Sequence, residues 1–173
     1  MKKSVIRDII VFAMLGTIMF ISKVIMEFLP NIHAIAMFIA VFTLVYRWRA
    51  LIPIYVYVFL TGLFNGFGTW WYPYIYIWTI LWAFIMLIPK GFTVKKMAII
   101  SAVFCALHGI LYGILYAPFQ ALAFGLSFEG MIAWIVAGLP FDVIHMCGNI
   151  AMSFLILPLY KVIIKLENQR FLK

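Results

Sequence analysis

The chain has 173 residues, of which 68% are hydrophobic, 18% aromatic and only 10% charged. A soluble domain is about 45–50% apolar and about 25% charged, so the composition, with a mean hydropathy of +1.16, excludes an ordinary water-soluble globule. The net charge of +8 does not indicate a nucleic-acid partner, because the basic residues lie in short clusters beside apolar runs, where they report topology.

A membrane-spanning helix takes about 20 apolar residues. Six runs qualify as expected spans, at about 8–29, 32–46, 50–67, 74–89, 96–116 and 131–163. The expected fold is therefore an all-α integral membrane protein: one six-helix transmembrane domain over 1–173, multi-pass in a cell membrane. The first run exceeds a signal-peptide core and has no small-residue cleavage site after it, so it reads as a retained span. Twelve of the 13 lysines and arginines precede span one, separate spans two and three or four and five, or follow span six. The opposite connections, around 30–33, 66–73 and 117–130, carry none, which by the positive-inside rule places both termini in the cytoplasm.

The remaining basic residue is Lys23, in the stretch "SKVIME" near the end of span one, with Glu27 four residues on. A charge at mid-bilayer costs about 2.5–3.5 kcal/mol on insertion scales. Mutual pairing of Lys23 and Glu27, or snorkelling of Lys23 to the interface, would offset that cost, and so would contact with a polar ligand in a wet cavity. Asn31 and His33 follow at once, and His33 equally reads as a cap of span two. The second outer connection, "NGFGTWWYPYIY", carries Asn65, Trp70, Trp71 and Tyr74, which suit either an interfacial aromatic belt or stacking on a planar ligand. Gly62, Gly66 and Gly68 would give this segment freedom to close. In span five His108 reads as a packing residue, and Gln120 falls in the third outer connection.

Span six holds "DVIHMCGN", which sets Asp142, His145 and Asn149 on one helical face. These are either interhelical hydrogen-bonding groups or cavity anchors, and Gly138-Leu139-Pro140 marks an expected break in the run. Asp142 and His145 have a two-ligand metal spacing, and the other histidines lie on other segments. Cys105 and Cys147 sit inside apolar runs as expected buried thiols. No G-x-S-x-G, H-E-x-x-H or P-loop pattern occurs, so neither catalysis nor a cofactor is indicated.

Six spans in a short chain, a small-x-x-x-small stretch in span one (Ala13, Gly16, Thr17) and an outer polar cluster resemble the substrate-binding S component of an energy-coupling-factor (ECF) vitamin transporter. The resemblance implies high-affinity capture of a small micronutrient outside a bacterial plasma membrane. It implies as partners a membrane coupling subunit, docked at Ala13, Gly16 and Thr17, and two cytoplasmic ATPases. The ligand set it implies is Lys23, Glu27, His33, Asn65, Trp70, Trp71, Tyr74, Gln120, Asp142, His145 and Asn149. A non-transporting scaffold, a small secondary transporter and an intramembrane enzyme using Asp142 and His145 are the rival readings.

Overall fold

A computed structural model of the protein describes residues 2–171, with side chains from Val5 to Gln169. The side chains of Lys2, Lys3 and Arg170, and all of Lys173, lie outside the described ones. The chain is helical, without a strand among the described residues: α1 (Lys2–Ile25), α2 (Ile35–Tyr46), α3 (Leu51–Asn65), α4 (Tyr74–Met86), α5 (Val94–Ile110), α6 (Tyr112–Phe124), α7 (Phe128–Ser153) and α8 (Ile156–Phe171). Short 3-10 turns at Arg47–Ala50 and Thr69–Trp71 lead into α3 and towards α4. Four helical runs are long and apolar enough to cross a membrane: Val5–Ile25, Ile35–Asn65, Val94–Phe124 and Phe128–Ser153.

α2 forms the centre. A helix apolar on every side has no solvent face, and Ile35, Ile39, Ala40 and Val41 are each fully buried. Around it stand α1, α4, α5, α7 and α8. Apolar side chains gain little by leaving lipid for protein, so close packing has to hold such helices together. Glycine supplies that closeness. A Cβ on Gly16 of α1 would lie 2.8 Å from the carbonyl oxygen of Pro53 in α3. A Cβ on Gly109 of α5 would lie 2.8 Å from the backbone of Met146 in α7.

Polar contacts tie one end of the bundle. Asp8 of α1 pairs with Arg49, whose guanidinium also lies 4.9 Å from the centre of the Phe12 ring. Tyr46 donates a hydrogen bond to Glu167 of α8 at 3.0 Å. Arg47 takes a left-handed conformation, φ 55°, and turns the chain between α2 and α3. Its guanidinium donates to the carbonyls of Met86 and Ile88, which no intrahelical N–H would otherwise reach at the end of α4.

The boundary expected between the runs 32–46 and 50–67 falls at Arg47, which divides the 31-residue apolar stretch Ile35–Asn65 into helices of 12 and 15 residues. Other sequence expectations change. The connection expected at 117–130 shrinks to 125–127, because α6 continues through Pro118 to Phe124. Gly138-Leu139-Pro140 does not break the run either. α7 passes straight through, and the interruption falls at Phe154-Leu155. Cys105 is buried as expected, but Cys147 is exposed on the outside of α7.

Candidate functional site

At the end of the bundle opposite the Asp8–Arg49 pair, the chain encloses a cavity of about 300 Å³, at the small end of the range for ligand sites. Four parts of the chain build it. The end of α1 and its following turn give Lys23, Met26 and Glu27, and the next segment gives Leu29, Pro30, Asn31, Ile32 and His33. Trp70 and Tyr74 come from the approach to α4, Tyr112 and Tyr116 from α6, and His145 from α7.

Lys23 and Glu27 face the same space but do not pair with each other. α1 ends at Ile25, so Glu27 sits in the turn beyond it and the one-turn helical spacing expected from sequence is lost. Even on a regular helix, lysine preceding glutamate is the weaker order for such a pair. These two are the only Lys, Arg, Asp or Glu side chains in the lining. Both belong to the α1 side; the opposite wall is aromatic.

The floor is a cluster of rings containing all three histidines of the chain. The ring centres of His33 and His145 are 4.9 Å apart, and Tyr112 lies 5.0 Å from His145. Beneath them Trp78 stacks on His108 with ring centres 5.4 Å apart. His108 Nε2 lies 3.1 Å from the carbonyl of Ile77, so that nitrogen carries the proton and Nδ1 is an acceptor. His145 is 4% exposed, and its Nε2, like Nδ1 of His33, is buried without a hydrogen-bond partner.

A second set of residues holds the walls. Trp71 points away from the cavity and donates its indole N–H to the carbonyl of Val58 at 2.8 Å. Gly62 makes room for this: a Cβ there would lie 2.6 Å from that same indole nitrogen. Gly62 is thus a packing position and not a source of freedom for the 66–73 segment. With Trp71 fixed in α3, its neighbour Trp70 faces the cavity, and Tyr116 donates to the Trp70 carbonyl at 3.1 Å. Asp142 accepts from the Gly113 backbone N–H through both carboxylate oxygens, at 3.1 and 3.2 Å. A side chain inserted at this position marks the joint between α5 and α6, directly beside Tyr112. Asn149 donates to the carbonyl of Cys105 at 2.9 Å, tying α7 to α5.

Of the residues singled out from sequence, the fold brings Lys23, Glu27, His33, Trp70, Tyr74 and His145 together. It places Asn65 exposed at the end of α3 and Gln120 half-buried on α6, both outside the lining. Trp71, Asp142 and Asn149 support the walls from behind. Asp142 and His145, three residues apart, point at different targets, and no group of three His, Cys, Asp or Glu side chains among the described residues is placed to hold a metal. His33 does not cap α2, whose N-cap is Ala34 without a side-chain bond. Gly16 is occupied inside the protein against α3, leaving Ala13 and Thr17 exposed on α1. Sequence reasoning missed Tyr112 and Tyr116; their one-turn spacing is the signal that could have found them. Comparison of the chain with family models, with curated proteins and with solved structures finds no match.

Proposed function

We propose that the protein is a membrane receptor for a small polar micronutrient, of the kind that serves as the S component of an ECF importer. The observation that carries the reading is the cavity itself: two unpaired opposite charges and two histidines face aromatic walls, in a chain otherwise built of apolar helices. Aromatic walls with a few placed polar groups are the usual make-up of a small-molecule site.

In this reading the chain crosses the membrane six times, as α1, α2, α3, α4, α5 with α6, and α7, with both termini in the cytoplasm. α2 and α4 have 12 and 13 residues, about 18–20 Å of helix at about 1.5 Å per residue, against about 30 Å of hydrocarbon. The irregular segments 26–34 and 66–73 make up the difference by dipping inward. Non-helical backbone is tolerated at that depth where it lines a cavity. The ligand enters from the outside, and uptake requires a membrane coupling subunit and two ATPases. The exposed pair Ala13 and Thr17 on α1 is the surface offered to the coupling subunit.

Mass spectrometry of small molecules released from gently purified protein, against an empty-membrane control, tests the reading. Recovery of one near-stoichiometric micronutrient is the expected result. A blank, together with no thermal stabilisation across a vitamin panel, would favour a scaffold.

A further inference from the structure

Resting on the receptor reading, we infer that the ligand is amphoteric: a planar uncharged ring with a tail bearing both an anionic and a cationic group. The inference follows from how the cavity separates its chemistry. Lys23 and Glu27 stand together on the α1 side. Lys23 is half-buried and Glu27 exposed at the cavity mouth; they form no ion pair with each other, and neither has a hydrogen-bonding partner among the described residues. A ligand with one charge would meet one of them favourably and be repelled by the other. A ligand with both charges satisfies the two at once, and its attraction to each is strengthened as water leaves the site.

The other wall has no ionised group. Trp70, Tyr74, Tyr112 and Tyr116 present ring faces and edges, which suit a flat ring. Trp70 and Tyr74 hold an edge-to-face arrangement, with centres 5.6 Å apart, and Tyr116 stacks from behind on Trp134 at 5.7 Å. The wall is therefore braced before any ligand arrives. His145, nearly fully buried and with an unpartnered ring nitrogen, adds a hydrogen-bonding group at the floor.

The test uses the full chain in lipid nanodiscs, as wild type, Lys23→Met and Glu27→Gln, each incubated with a small-molecule extract of cells. Species retained above an empty-nanodisc control are identified by mass spectrometry, and the principal one is titrated against all three proteins. The inference expects an amphoteric species and a loss of affinity of about tenfold or more in each variant. Loss in one variant with unchanged or tighter binding in the other identifies a singly charged ligand, and loss in neither identifies an uncharged one. Either result overturns the inference and leaves the receptor reading standing. Nothing retained by the wild type overturns both. Lys23→Arg, which keeps the charge, restores binding if electrostatics and not folding is at work, and failure to restore it in a normally folded protein counts against the inference.

Discussion

Trp71 and Trp70 are adjacent in sequence and do opposite things. The first is fixed by the Val58 carbonyl; the second faces the cavity. Trp71→Phe keeps an aromatic ring but removes the indole hydrogen bond to that carbonyl, which retains its helical donor, at a cost of about 0.5–1.5 kcal/mol. We expect a lower unfolding midpoint and, because Trp70 loses its support, weaker ligand binding, both measurable on one sample by thermal unfolding with and without ligand. At this scale the sequence exposed the unusual residues but not their targets. A lysine in an apolar helix is conspicuous, whereas Asp142 gives no sign that its partner is a backbone N–H 29 positions earlier. Tyr112 and Tyr116 were hidden for the opposite reason, because tyrosines in an apolar run resemble ordinary lining of a membrane helix.

Elements obey longer-range constraints. α5 and α7 approach at Gly109, where a Cβ would sit 2.8 Å from the backbone of Met146. A backbone cannot step aside as a side-chain tip can, so Gly109→Ala should destabilise the protein by about 1–3 kcal/mol. Gly138 of α7 offers the control, since a Cβ there meets nothing within 4 Å. Gly138→Ala should be neutral or stabilise by up to about 1 kcal/mol through helix propensity. Comparing the unfolding midpoints of the two variants checks both. The same pair shows why helix ends were hard to read. Gly138 and Pro140 look like a break, yet α7 runs on, as membrane helices accept proline when neighbouring groups satisfy the freed backbone. The interruption that does occur, at Phe154-Leu155, is set by a proline further on: Pro158 has no N–H for the Phe154 carbonyl four residues before it, and its ring crowds that oxygen.

For the whole molecule, composition alone determined the class: an all-helical chain with long apolar helices was legible in 68% hydrophobic content. The division at Arg47 was legible too, because Arg47 and Arg49 interrupt the apolar run, whereas the positive φ that Arg47 adopts was not, being set by tertiary contacts and not by local preference. The proposed topology has a direct check. With Cys147 replaced by serine, single cysteines at Asn65 and Phe124 should react with a membrane-impermeant thiol reagent on intact cells. Cysteines at Trp48 and Lys90 should react only after permeabilisation, and the reverse pattern would invert the orientation.

The Arg47 corner also bears on the order in which the protein is made. Its guanidinium is held by the carbonyls of Met86 and Ile88, some 40 residues further along the chain. During synthesis α1, α2 and α3 must therefore emerge with this corner unfastened. The fourth helix, on arriving, both closes the corner and supplies Tyr74 and Trp78 to the cavity and its floor. A nascent chain halted before residue 86 would hold the first three helices without the lock that fixes their turn, and the cavity end of the bundle would begin to take shape only as that lock forms.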